Sequence, residues 1–85
     1  MNDMKKLLDV VIPIINENIE SIREAYQLGE SLALYNKHQV AIKYAYEKLN
    51  KLLPKDFRKT ITLSEAMYLN SMIQGLLKKK IENLI

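Results

Sequence analysis

The sequence has no cysteine, which removes disulfides, thiolate metal sites and cysteine nucleophiles at once and fits a reducing compartment. Its single histidine, His38, has nothing to join. Zinc and di-iron sites on helices need several imidazoles, thiolates or carboxylates converging on one ion. No metal or cofactor is therefore expected, and His38 reads as a turn residue facing water. Glycine and proline are scarce, two of each, so few elements joined by few loops are predicted, with no Gly-rich phosphate loop. Long apolar runs are missing as well. The longest candidate, Leu7 to Ile15, carries Asp9 and Pro13 and lacks a small-residue cleavage site. It falls short of the roughly 20 residues that span a bilayer and is not a secretory signal. Cytoplasmic is the default location. Arginine is limited to Arg23 and Arg58 while lysine, isoleucine and asparagine are frequent. That bias points to an AT-rich coding genome, such as a low-GC bacterium, its phage or its plasmid.

What remains is ordinary folding material. The 85 residues are 48% hydrophobic and 27% charged, the balance of one globular domain near the lower size limit for a self-supporting core. Without disulfide or metal, such a chain relies on helix packing or self-association. The net charge of +3 conceals an asymmetry. Residues 1–35 set Lys5, Lys6 and Arg23 against six carboxylates, a balance of −3; residues 36–85 carry +6. Such a split favours docking of the two halves on each other, or a basic face presented to an acidic partner.

Hydrophobic periodicity is helical throughout. Asp3 is placed to cap a first helix with Met4, Leu7, Leu8, Val11 and Ile15 on one face. Pro13 either kinks that helix or opens a new one at its first turn, where a missing N–H costs nothing. From Ile14 the stripe resumes through Ile15, Ile19, Ile22, Ala25, Tyr26, Gly29, Leu32 and Ala33, opposite Glu17, Glu20, Glu24, Gln27 and Ser31, and is predicted to end near Tyr35. Asn36 and Gln39 have the spacing of a cap and its box partner. A second helix then runs to about Leu53, before Pro54. After the loop PKDFRKTIT, Thr62 and Glu65 form a Ser/Thr-x-x-Glu capping box for a last helix reaching about Leu84.

Small residues recur every four positions at Ala25, Gly29 and Ala33, and again at Ala41 and Ala45. Facing stripes of this kind let two helix backbones approach closely, so a tight antiparallel hairpin is expected. The stretch from Gly29 through Ala41 and Ile42 to Pro54 resembles a single tetratricopeptide unit. Its spacing from Ala41 to Pro54 is a residue too long and the unit stands alone, so the resemblance implies a helical hairpin and no binding residues. The segment from Thr62 to Lys80 resembles the opening of a helix-turn-helix. Asn70, however, stands where a turn glycine is wanted, and the apolar period runs through it.

Nothing assembles into a catalytic constellation. Glu17, Glu20 and Glu24 lie opposite the apolar stripe, whereas a general acid needs an apolar pocket to raise its pKa. Ser21, Ser31, Ser64 and Ser71 have no histidine in a recognisable pattern. Lys78, Lys79 and Lys80 form the densest charge run, favoured at a helix C-terminus by the macrodipole and suited to an anionic partner, nucleic-acid phosphates included. On the last helix the apolar arc covers well over half the circumference, more than one hairpin can bury. Tyr68, Leu69, Met72 and Leu76 are the flank expected to be left over, for a partner or for two-fold pairing into a homodimer. The competing expectation is that Met4 to Ile12 folds back and covers it.

The expected architecture is all-α: one domain over residues 1–85, a bundle of three helices (about 3–35, 37–53 and 63–84), or four if Pro13 breaks the first. The expected function is a non-enzymatic protein–protein interaction module, acting as a regulator, inhibitor or adaptor. The alternative is a nucleic-acid-binding regulator using the Lys-rich C-terminal half.

Overall fold

The computed structural model describes the backbone of residues 2–83 and the side chains of residues 5–83. The expected cap at Asp3, the cover by Met4 and the apolar position of Leu84 lie outside those side chains. The described residues form an all-α bundle of four helices: α1 (Asn2–Glu17), α2 (Ile19–Leu32), α3 (Lys37–Leu52) and α4 (Leu63–Glu82).

The first helical segment does break, but not at Pro13. That residue sits inside α1, and both it and Asp9, whose carbonyl it leaves without an amide partner, are on the exposed side. Water can take that carbonyl, so the helix continues. The break comes at Asn18, with φ −118° and ψ 19°. Its side-chain amide donates to the Ile14 carbonyl at 2.9 Å, an acceptor its own backbone N–H also reaches at 3.1 Å. An asparagine that competes with its own backbone in this way ends a helix readily.

The α2–α3 turn also departs from expectation. Helix α2 stops at Leu32, earlier than Tyr35, because Ala33 turns extended. Asn36 makes no side-chain cap bond and takes the left-handed conformation, φ 53° and ψ 43°. Asparagine is among the few non-glycine residues that tolerate it, and the capping-box reading with Gln39 gives way to a backbone reversal. The Thr62 box, in contrast, is complete. Thr62 Oγ1 accepts from the Glu65 amide at 3.2 Å, and the Thr62 amide donates to Glu65 Oε1 at 3.1 Å. Bonds from the Thr62 backbone and then its hydroxyl hold the Glu65 carboxyl below the usual range.

The α2–α3 pair is the most extensive contact in the bundle, and it is the tight hairpin. A Cβ built on Gly29 would lie 2.9 Å from the Ala41 Cα and 3.0 Å from the Tyr44 Cβ. Ala41 and Ala45 are fully buried. Around this pair the core gathers Val11 and Ile15 from α1, Ile22 and Tyr26 from α2, Ile42 and Leu49 from α3, and Leu69, Ile73, Leu77 and Ile81 from α4. Each such aliphatic contributes about 1.5–3 kcal/mol of burial before entropy is charged against it. Phe57, buried from the α3–α4 loop, ties that loop to the same core. Helix α4 runs unbroken through Asn70, so it is not a helix-turn-helix.

Candidate functional site

Two kinds of surface stand out once the core is closed. The first is apolar. At the tip of the α2–α3 hairpin Leu28 and Leu32 are more than half exposed, while Leu34 and Tyr35 are 87% and 84% exposed. A second exposed set, Leu63, Met67 and Tyr68, lies on the first turns of α4. The two sets are at opposite ends of the bundle, because α3 and α4 are antiparallel neighbours. His38 shares a groove end with Lys78, whereas Tyr46 near the other end donates a hydrogen bond to the Asn70 side-chain oxygen.

The flank expected to be free on α4 is only partly so. Leu69 is 0% exposed and belongs to the core. Met72 and Leu76 are half-buried against it. Of the four residues Tyr68 alone is exposed, at 61%. Helix α4 is contacted by α1, α2 and α3, and Leu7 and Leu8 of α1 pack against the same core as Met72 and Leu76. Pairing of two chains through Leu69 would require removing it from the core. The uncovered part of the arc is one to two turns earlier, at Leu63 and Met67. Periodicity assigned those residues to the arc without showing which portion neighbours would cover.

The second surface is the groove between α3 and α4, about 550 Å³ in volume. From α3 it is lined by His38, Gln39, Ile42, Lys43 and Tyr46, and from α4 by Ser71, Gln74, Gly75 and Lys78. Gly75 has no neighbouring atom within 4 Å of where a Cβ would stand, so the groove is open there. Lys79 and Lys80, exposed in the last turn of α4, are outside its lining. A smaller hollow of about 390 Å³ in the α3–α4 loop contains Lys51, Lys55 and Arg58. Arg58 stands 5.4 Å over the Tyr46 ring and donates to the Asn50 side-chain oxygen at 3.1 Å.

The charge asymmetry is not spent inside the fold. Among the described residues the ion pairs are Arg23–Glu20 and Lys59–Asp56, each within one local segment. The halves meet through small and apolar side chains, and Glu17, Glu20, Glu24 and Glu30 stay exposed. The two signs therefore remain on the surface, available to a partner.

His38 is exposed, but it is not idle. Its Nδ1 lies 3.0 Å from the Tyr26 hydroxyl, which donates to it when the imidazole is neutral. Burial first, then the carboxylates of Glu30 and Glu82, push the Tyr26 phenol above its ordinary pKa. The bond links α2 to the first turn of α3 at the hairpin tip. Among the described residues no group of three His, Cys, Asp or Glu is placed to hold a metal ion. No helix there is long and apolar enough to cross a membrane. Comparison of the chain with known protein families, curated proteins and solved structures finds no match in any of the three.

Proposed function

We propose that this chain is a non-enzymatic helical module that acts by binding another protein, as a regulator, inhibitor or adaptor. The observation that carries this reading is the hairpin tip. Four large apolar side chains, Leu28, Leu32, Leu34 and Tyr35, are exposed within a short segment while the core closes without them. A contiguous exposed apolar patch usually marks a protein contact, and a tyrosine beside leucine is the composition that interface centres favour. The left-handed Asn36 reverses the chain there, and the Tyr26–His38 bond links α2 to α3 beside it.

The test is co-purification from cells with the parent chain and with Leu34→Asp/Tyr35→Asp, followed by reconstitution of each candidate complex from purified components. Neither residue contributes to the core, so the variant is expected to melt like the parent and to lose the partner. A partner retained equally by both proteins would sink the reading. Nucleic acid is the second reading, favoured by one observation: Lys78, Lys79 and Lys80 are all exposed and, among the described residues, make no ion pair. Phosphate contact would give an affinity that falls steeply with salt.

A further inference from the structure

We infer that the α3–α4 groove receives an acidic amphipathic helix from a partner protein. The groove is a separate feature from the exposed tip and does not depend on it. Its lining combines an apolar floor, set by Ile42, with Lys43 on one rim and Lys78 on the other. Gln39 and Gln74 supply neutral hydrogen-bonding groups between them. Among the described residues no carboxylate lines it; Glu47 and Glu82, each one turn beyond a rim lysine on the same helix, are outside. Lys43 and Lys78 have no ion-pair partner among the described residues.

Shape argues the same way. The Tyr46–Asn70 hydrogen bond pins the helices together at one end, while Ser71 and Gly75 replace larger side chains on the α4 wall further along. The result is a lane that is open over Gly75. Between His38 and Tyr46 it follows α3 for about 12 Å at 1.5 Å per residue, the length of two helical turns. A helix laid there would set apolar side chains at i and i+4 onto Ile42 and the space over Gly75. Its flanking carboxylates would meet Lys43 and Lys78, the usual division of labour when a helix occupies a groove.

Two other occupants fit less well. A nucleic-acid backbone carries dense, regular charge and is met by rows of cations; here two lysines flank an apolar floor that phosphates would leave unsatisfied. A second copy of this chain brings its own net charge of +3. It also offers an acidic helix face whose Glu20 is already engaged by Arg23 at 2.7 Å. An acidic partner is attracted by the whole molecule as well as by the groove.

The test uses the full chain and a fluorescent synthetic helix with leucines at i, i+4 and i+7 flanked by glutamates, read by anisotropy. The parent is expected to bind it and not the same helix with lysine in place of glutamate. Lys43→Glu/Lys78→Glu should weaken binding by about tenfold or more, as expected for close charge pairs at an interface. Lys79→Glu/Lys80→Glu changes net charge equally outside the lining and should weaken it much less. Gly75→Leu, whose Cβ meets open space in the free protein, should block the lane without lowering the melting temperature, since helix propensity favours the change. The inference is overturned if both charge reversals weaken binding equally, or if Gly75→Leu binds normally. It is also overturned if the parent ignores the acidic helix, if random duplex DNA is preferred with the same dependence on Lys43 and Lys78, or if sedimentation shows the chain filling its own groove. None of these outcomes depends on Leu34 or Tyr35, so the tip and the groove succeed or fail separately.

Discussion

Gly29→Ala and Gly75→Ala add the same methyl group to two helix interiors, and the bundle treats them differently. In an exposed helix, alanine in place of glycine gains about 1 kcal/mol through backbone entropy. Nothing lies within 4 Å of the new Cβ at Gly75, so Gly75→Ala is expected to keep that whole gain. At Gly29 the methyl would meet the Ala41 Cα at 2.9 Å and the Tyr44 Cβ and Cδ2 at 3.0 Å. Unstrained carbon contacts fall at about 3.5–4.0 Å, so the shortfall is roughly 0.5–1 Å. The nearest atom is backbone on a fully buried residue and cannot rotate away, so α2 and α3 have to separate. Overpacking of this sort costs about 1–3 kcal/mol; after the propensity gain, Gly29→Ala is expected to be neutral to about 2 kcal/mol destabilising. The contrast between the variants, about 1–3 kcal/mol, corresponds to about 4–8 °C in melting temperature for each kcal/mol in a domain of this size. Urea and thermal unfolding followed by circular dichroism, with parent and both variants side by side, measure it. If Gly29→Ala stabilises as much as Gly75→Ala, the hairpin is not packed backbone to backbone and the small-residue stripe has another cause.

Two further expectations probe the rest of the bundle. Met72→Glu with Leu76→Lys introduces charges at half-buried positions packed against the core, and is expected to cost about 1–3 kcal/mol per site; an unchanged urea midpoint would show that the flank is free after all. Because the folded pKa of Tyr26 is raised, the stability it contributes is whole below the ordinary tyrosine value of about 10 and is lost as pH rises through the folded value. Urea midpoints should therefore fall more steeply on the alkaline side for the parent than for Tyr26→Phe, and parallel profiles would refute the assignment.

Much of the fold is legible locally. Thr62 and Glu65 announce the start of α4, because a hydroxyl and a carboxylate three residues apart can satisfy each other's orphan amides within one turn. Pro54 marks the end of α3 because it restricts the residue before it, and Leu53 is indeed extended. The stripe containing Gly29 and the pair Ala41 and Ala45 identified the close hairpin contact. Asn36 shows the limit of this kind of inference. Asparagine suits both an N-cap and a left-handed turn, and the path of the chain selected the turn. Lys43 and Lys78 passed unremarked as a pair, since nothing local relates them.

Sequence alone determined that this protein is helical, where most of its helices begin and end, and that two of them pack through small residues. Those properties depend on neighbours within a turn or on a pattern one helix carries by itself. The break at Asn18 is local too, a bond to Ile14 within one turn. The tertiary structure decided that Pro13 is tolerated, because the carbonyl it frees is on the exposed side of α1. It decided that Leu69 is core while Leu63 and Met67 are surface, because α1 packs on α4 and no residue of α4 before Leu69 is buried. It also decided that Lys43 and Lys78 face one groove, because antiparallel packing of α3 and α4 set them on opposite rims. Periodicity specifies which side of a helix is apolar; only the neighbours that arrive specify how much of that side meets water.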